Sequence, residues 1–195
     1  ATAYAYKYLP SLNSQTGKYC SLYINGEYFG IYYLQERLTE LSVSEHYDVD
    51  EDGVIIEEFA PDKSSELYKI MEFAKNNDLT VTANYEYITN KIDIESMTDW
   101  IIYEAYVGNR DVVANVKYVK TSATAKWKWV AFDLDWALNK QENCFEQMLA
   151  ENQWYTGWII QSIIKNEPYQ EYFLKRLDYH MDNTFKSNSI TGLMD

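Results

Sequence analysis

Two carboxylates close a strongly apolar stretch of this sequence. Residues 126–136 read KWKWVAFDLDW, in which Asp133 and Asp135 follow a run of aromatic and aliphatic residues. An upstream loop, GNRDVVAN, adds a third carboxylate, Asp111, and an amide, Asn115. Unpaired carboxylates are costly among apolar groups, so a cation is a natural partner for them. Carboxylate and amide oxygens are ligands that suit Mg²⁺.

Together these groups could carry out phosphoryl transfer, which needs mainly positioning and charge neutralisation. Asp111 could accept the proton of an attacking hydroxyl, while Asn115 and Asp133 could ligate one Mg²⁺ ion beside the phosphates. Taken singly, each residue also fits an ordinary role. Asp111 suits a turn or an ion pair with Arg110, Asn115 suits a strand-end cap, and the DLD pair suits an exposed turn. The ordered set is far more specific than any of its members.

A hairpin would bring the two groups of residues together. VKYVKT and KWKWVAF read as strands joined by the small-residue turn SATA, and their pairing would place residues 111–115 beside residues 133–135. The helix before them begins after the N-cap Asp93 and ends at Gly108. We expect three tryptophans to enclose the site and lower the local dielectric: Trp127, Trp129 and Trp136.

The rest of the chain predicts a small β-rich start followed by helices. YCSLYINGEYFGIYYL holds two β-rich runs around Asn25-Gly26, a dipeptide typical of a type I′ hairpin, and Gly30 indicates a bulge or a close backbone approach. VIIEEF reads as a short strand. Helical spacing starts at Asp62, with Leu67, Ile70, Met71 and Ala74 on one face, and recurs over 83–90, 140–150, 156–165 and 168–185. This order predicts an α+β fold.

The composition narrows the classes of function. The 195 residues carry a net charge of −13, which argues against nucleic acid and anionic membranes as partners. No apolar run is long enough to cross a membrane. The chain has two cysteines, Cys20 and Cys144, which could form one disulfide or remain thiols. The aromatic cluster WYTGW (154–158) could form a sugar platform, although core packing is the commoner role, and His180 reads as structural.

Three stretches carry a resemblance to a known family: LYINGEYFGIYYLQE, GNRDVVANVKYVK and KWKWVAFDLDWAL. They resemble the CotH kinase family, the spore-coat-type protein kinases of bacteria, and the tail IIKNEPYQEYFLKRLDYHMDNTF is similar to the closing helices of that family. The resemblance covers most of residues 18–186. It implies an atypical protein-kinase-like fold, with a partial β-rich N-lobe and hinge at 1–37 and a mainly helical C-lobe at 38–195.

The resemblance also implies a role for each site residue. Asp111 matches the catalytic-loop Asp, which acts as the base, and Asn115 matches the metal-binding Asn of that loop. Asp133 matches the first Asp of the DLD motif, which binds the metal. Asp135 would assist in metal binding or in holding the site.

Adenine would meet the backbone of the hinge between the lobes, which matches Leu34, Glu36 and Arg37, with Glu36 as its recurrent acidic residue. The family resemblance implies ATP and Mg²⁺ as cofactors and a protein substrate phosphorylated on Ser or Thr. It implies a location in the spore coat or outside the bacterial cell, among secreted or cellulosome-associated assembly partners.

The sequence departs from kinase patterns in three places. Asn115 follows Asp111 by four positions rather than five, and Val116 stands where relatives often carry a second Asn. Asn109 replaces the usual loop His. Before the hairpin there is no Gly-rich loop, strand Lys or helix Glu, so much of the N-lobe is missing from this sequence, and we expect these residues alone to bind ATP weakly. The alternatives to a kinase are a non-catalytic kinase-like scaffold and a carbohydrate-binding module.

Overall fold

The computed structural model describes residues 2–138, 143–150 and 155–186. The strands, in chain order, are β1 (Asn13–Ser14), β2 (Gly17–Ile24), β3 (Glu27–Gln35), β4 (Ile55–Glu58), β5 (Lys117–Lys120) and β6 (Lys128–Ala131). The helices are α1 (Thr2–Tyr8), α2 (Glu40–Tyr47), α3 (Glu66–Asn76), α4 (Thr82–Lys91), α5 (Ile94–Val107), α6 (Cys144–Leu149), α7 (Tyr155–Ile163) and α8 (Glu167–Tyr179). The α+β prediction is confirmed.

A small mixed sheet in the order β1-β6-β5-β4 lies at the centre of the molecule. β1 runs parallel to β6, whereas the β6–β5 and β5–β4 pairs are antiparallel. Successive side chains of a strand point to opposite faces of a sheet. Tyr118 and Trp129 therefore enter the main core with α5, while Val119 and Val130 form a smaller cluster with Val43 of α2.

Helix α5 is the buried axis of the main core. Its predicted N-cap is confirmed, because the Asp93 carboxylate accepts a hydrogen bond from the backbone N–H of Ser96. Gly108 ends the helix in the left-handed region at φ 59°, as expected of a C-terminal glycine. Helix α3 packs against α7 and buries one side, and the face expected from its spacing is confirmed: Leu67, Ile70, Met71 and Ala74.

The β2–β3 hairpin projects from this body. Its turn residues Asn25 and Gly26 have φ values of 52° and 88°, which fit the predicted type I′ turn. The register shifts beside Gly30, which confirms the predicted bulge. Large apolar side chains are exposed on both strands, among them Tyr19, Phe29 and Ile31. In the described part of the chain, this sheet has two strands.

The residues before the hairpin pack with the helical part of the chain. Tyr4, Ala5 and Leu9 of the α1 region are buried in the main core, and β1 joins the central sheet. The division at residue 37 stays a prediction, and the packing shows that the projecting unit is the hairpin alone. None of the helices in the described ranges is long and apolar enough to cross a lipid bilayer.

The structure also bears on the predictions for the cysteines, His180 and the aromatic cluster WYTGW. Cys20 lies on the hairpin and Cys144 is buried, and both are thiols rather than a disulfide. His180 is buried in a polar cluster, which confirms its structural role. Trp158 packs edge-on against Tyr155, and Lys75 covers its ring at 4.1 Å, so this ring face does not suit a sugar platform. Trp154 and the beginning of the helix expected at 140–150 lie outside the described residues.

Candidate active site

The β5–β6 hairpin brings the two groups of predicted site residues to one end of the sheet. Lys117 at the start of β5 lies opposite Val130, next to the end of β6. Asn115 comes two residues before β5, and Asp133 comes two residues after β6. Because the strands are antiparallel, both segments leave the sheet at the same edge.

The loop that carries Asp111 and Asn115 is a tight turn in which the two side chains touch. The backbone N–H of Asn115 donates to the carbonyl oxygen of Asp111 at 3.1 Å. The amide Nδ2 of Asn115 donates to Oδ2 of Asp111 at 2.6 Å. This contact uses the donor end of the amide, which leaves the Asn115 Oδ1 atom as the end suited to a metal ion. The structure therefore brings the predicted base and the predicted amide ligand together.

Asp133 stands in an unusual conformation and a crowded electrostatic setting. Its φ of 51° lies in the left-handed region, which a non-glycine residue adopts rarely. Burial raises the pKa of Asp133, and the negative charges of Asp135 and Asp111 raise it further, whereas the Lys117 ammonium acts in the opposite direction. Like charges disfavour each other's ionised form at short range. The three carboxylates are thus near enough to interact, and a bound cation would relieve their repulsion.

The expectation that three tryptophans enclose these carboxylates is wrong for Trp136 and for Trp127, which lies beside Ile92 at the far end of the β5–β6 hairpin. Trp127 and Trp129 are buried in the main core, but Trp136 is 57% exposed and Asp135 is exposed too. After Asp133, Leu134 is buried in the main core, whereas the Trp136 ring is exposed and lies 5.7 Å from the Arg110 guanidinium. The site is consequently open on the side of Asp135 and Trp136.

A series of hydrogen bonds, which the sequence patterns did not reveal, links the buried Glu104 of α5 to the loop that carries Asp111. Glu104 near the end of α5 is 1% exposed, and its Oε2 atom accepts a hydrogen bond from Nδ2 of Asn109 at 2.9 Å. Oδ1 of Asn109 in turn accepts the backbone N–H of Asp111 at 3.2 Å. Burial raises the pKa of Glu104 to about 8, against the opposing hydrogen bond from Asn109. A charged residue amid the apolar run WIIYEAYV is the signal that could have pointed to it.

Lys117 is the second residue at this site that sequence reasoning missed. Its ammonium pairs with the Glu58 carboxylate of β4, which lies directly opposite it in the sheet. The same Nζ atom lies 4.4 Å from the centre of the Phe132 ring, next in sequence to Asp133. The sequence signal was a lysine at the start of a strand, two residues after Asn115.

The predicted hinge is held by the chain itself. The backbone N–H of Glu36 donates to the carbonyl of Thr16 at 2.9 Å, and its carbonyl accepts from the Gln15 side chain at 2.6 Å. Both backbone groups of Glu36 are engaged, and Leu34 pairs with Lys18 of β2. Arg37, which is exposed and follows β3, is therefore the hinge residue best suited to a base. The Glu36 carboxylate lies 3.2 Å from Nε2 of His46.

A cleft opens beside this hinge, next to His46. Buried Asn13 lines it, and its Nδ2 atom has no hydrogen-bond partner among the described residues. An unsatisfied buried donor is costly, which suits a site completed by a ligand acceptor. The other residues lining the cleft are Pro10, Leu12, Ser14 and Tyr47.

The oxygen ligands available here fit Mg²⁺ better than a metal ion that protein side chains surround completely. In the ranges that the structure describes, no three His, Cys, Asp or Glu side chains form a metal-binding group. Asn115 and Asp133 would supply an amide oxygen and a carboxylate, and Mg²⁺ commonly takes one or two carboxylates with phosphate and water oxygens. The roles of Asp111, Asn115, Asp133 and Asp135 stay predictions that this arrangement allows.

Comparison with models of protein families gives a match. The family model described as CotH kinase protein matches residues 7–195. No curated protein and no solved structure matches the chain. Because the family match spans nearly all of the sequence, including the catalytic-type loop, the hairpin and the double-Asp segment, the chain belongs to the CotH kinase family.

Proposed function

We propose that this chain is the core of a protein kinase that transfers the γ-phosphate of ATP to Ser or Thr hydroxyls of a protein. The observation that carries the proposal is the hydrogen bond between Asp111 and Asn115 at the edge of the sheet where Asp133 also emerges. Family membership supports the same class of activity. Phosphoryl transfer asks the protein mainly for such positioning and for charge neutralisation.

Each residue has a defined part in the reaction. The acceptor hydroxyl approaches Asp111, its oxygen bonds to the γ-phosphorus, the bond to the β,γ-bridging oxygen breaks, ADP leaves, and the hydroxyl proton passes to the Asp111 carboxylate. Asn115 keeps that carboxylate in place through its Nδ2 atom. Asn115 Oδ1 and Asp133 would hold Mg²⁺, which would supply positive charge to neutralise the phosphates, and Asp135 would support this position.

The setting of the reaction is also part of the proposal. Adenine would lie at the hinge near Leu34 and Arg37, beside the cleft lined by Asn13, whose Nδ2 atom has no partner in the described part of the chain. The substrate would be a protein of the spore coat or of an extracellular bacterial assembly, in keeping with the family. Partners in that assembly would be proteins rather than nucleic acid, given the net charge of −13.

Radiolabelled ATP with Mg²⁺ and casein as a generic acceptor tests the proposal. We expect the wild-type protein to label casein, and Asp133→Ala and Asp111→Asn each to lower the rate by about a hundredfold or more. Asp178→Ala, on the exposed surface of α8, is the matched control and should keep full activity. Equal labelling by wild type and Asp133→Ala would rule out the proposed role of the site.

A second candidate function is a kinase-like scaffold without catalysis. The observation that favours it is the β2–β3 hairpin, which exposes apolar side chains such as Tyr19, Phe29 and Ile31, as interaction surfaces do. Melting curves separate the two functions. Binding of Mg²⁺ and ATP to the native state raises the melting temperature, whereas a scaffold would melt at the same temperature with and without them.

A further inference from the structure

The ammonium of Lys117 lies at the edge of the sheet where the proposed site is. Lys117 begins β5, and Glu58 of β4 and Val130 of β6 lie opposite it. Its Nζ atom pairs with the Glu58 carboxylate and lies 4.4 Å from the centre of the Phe132 ring. Since Asp133 follows Phe132 directly, this cation lies beside the segment that carries the predicted metal ligand.

The charge of Lys117 acts on the same carboxylate that the metal would use. The positive charge of Lys117 lowers the pKa of Asp133, whereas the negative charges of Asp135 and Asp111 raise it. A nucleotide with its phosphates near Asp133 adds further negative charge to a place that already holds three carboxylates. A lysine ammonium at this position offsets part of that charge, and it binds phosphate as a compact point charge.

The present partner of Lys117 can be exchanged at little cost. The Glu58 side chain is 72% exposed, whereas that of Lys117 is 18% exposed. An ion pair with so exposed a carboxylate contributes little to stability, because Glu58 is well solvated without it. The Lys117 ammonium also makes a cation–π contact with the Phe132 ring, 4.4 Å from its centre, and this contact keeps the ammonium in place when Glu58 moves away.

We propose that Lys117 is a phosphate-binding residue of this site, whose ammonium contacts the phosphate chain of the nucleotide beside Asp133. This inference rests on the proposed kinase function. It gives the site a phosphate-binding cation. The competing role is structural, in which Lys117 only joins β5 to β4 through Glu58.

Nucleotide binding by a set of single variants separates the two roles. Lys117→Met removes the charge and keeps the stem, Lys117→Arg keeps the charge, and Glu58→Gln removes the partner. Lys128→Met is the matched control, because Lys128 lies on β6, pairs with Asp93 at 2.8 Å and is 25% exposed. Calorimetry with ATP and Mg²⁺ measures affinity, and thermal melting without ligand checks that each variant is folded.

We expect Lys117→Met to weaken ATP binding about tenfold or more, as loss of a charge-assisted contact does. Lys117→Arg, Glu58→Gln and Lys128→Met should bind within about threefold of wild type. Tripolyphosphate with Mg²⁺ should show the same loss with Lys117→Met, because it carries the phosphate chain without the base. An equal loss with Glu58→Gln, or a loss for ATP but not for tripolyphosphate, would overturn the assignment.

Failure of this inference can be told apart from failure of the proposed function. If wild type binds ATP, Asp133→Ala does not, and Lys117→Met binds within about twofold of wild type, the kinase site stands and the role of Lys117 is wrong. If wild type binds neither ATP nor tripolyphosphate in the presence of Mg²⁺, both the kinase function and the Lys117 contact are overturned.

Discussion

At the scale of single residues, the buried Glu104 should make the stability of the protein depend on pH near neutrality. Burial raises the pKa of Glu104 to about 8 in the folded chain, from an ordinary value of 4.5. Between these two values the folded protein retains a proton that the unfolded chain releases. The contribution of Glu104 to stability is therefore fullest below about pH 4.5 and falls as pH rises towards 8, by up to about 1.4 kcal/mol for each pH unit.

The variant Glu104→Gln should remove this dependence and keep the acceptor for Asn109. Urea unfolding from pH 5 to pH 8 measures it: the free energy of unfolding should fall more steeply for wild type than for the variant, and the variant should be the more stable protein at pH 8. Glu86→Gln, on the exposed side of α4, is the control and should follow wild type. Parallel curves for wild type and Glu104→Gln would show that Glu104 is not protonated at neutral pH.

The same residue scale shows what a sequence can reveal about a site. Asp111, Asn115 and Asp133 could be selected because their types and order match one chemistry, and an antiparallel hairpin has to bring its ends together. Glu104 and Lys117 could not be selected in that way. The role of Glu104 depends on its contact with Asn109, and the role of Lys117 depends on its contact with Glu58. The sequence around a charged residue in a helix or strand does not show which residue it contacts.

At the scale of elements, two glycines of the β2–β3 hairpin should respond differently to substitution by alanine. Gly26 has φ 88° and open space where a Cβ would stand, so Gly26→Ala should cost only the conformational strain of about 1 kcal/mol. At Gly17 a Cβ would lie 2.9 Å from the backbone carbonyl of Leu34, which cannot move without shifting β3. Gly17→Ala should therefore open the hairpin more.

Hydrogen exchange of the hairpin amides measures this difference, because the hairpin projects from the core and can open without global unfolding. Protection of the β2 and β3 amides should fall slightly in Gly26→Ala and strongly in Gly17→Ala, while amides of α5 keep theirs in both. Stronger loss in Gly26→Ala than in Gly17→Ala would contradict the steric argument.

Elements with their own local signals were predicted well, and elements that depend on distant packing were not. The hairpin was recognisable from Asn25-Gly26, and α5 from Asp93 and Gly108. Helix α1 was missed, because it is held by burial of Tyr4 and Ala5 in a core made by residues far along the chain. Helix α2 was missed as well, since its short sequence ELSVSEHY lacks a clear apolar stripe.

At the scale of the whole molecule, the α+β class followed from the order of patterns, but the parallel pairing of β1 with β6 did not. β1 has two residues, too few for any periodic signal, and its partner lies far along the chain, with Asn13 opposite Val130. The predicted N-lobe boundary at residue 37 groups α1 and β1 with the hairpin. It does not reveal that α1 packs in the main core or that β1 joins the central sheet. Contacts between residues so far apart in the sequence form only when the complete core is assembled, so no local pattern indicates them.

One polar cluster joins the start, the middle and the end of the described chain, and it should control acid stability. Asp99 of α5 is fully buried and accepts hydrogen bonds from Arg176 at 2.6 Å, from His180 at 2.8 Å and from Ser11. Burial alone would raise the pKa of Asp99, but these hydrogen bonds outweigh it and hold the pKa below its usual value. Its contribution to stability is thus present above the unfolded pKa, near 4, and is lost as pH falls through the lower pKa of the folded state.

The variant Asp99→Asn should destabilise the protein by about 3–5 kcal/mol at pH 7, since it leaves the Arg176 charge without its buried partner. The difference from wild type should shrink below pH 4, where wild type also begins to protonate Asp99. Glu171→Gln, in the exposed pair with Lys175 at 3.7 Å, is the matched control and should unfold like wild type in urea at both pH values. A constant difference between Asp99→Asn and wild type from pH 7 to pH 3 would mean that packing, rather than the ionised carboxylate, makes Asp99 important. A shrinking difference would show that one charge holds Ser11, Arg176 and His180 against α5.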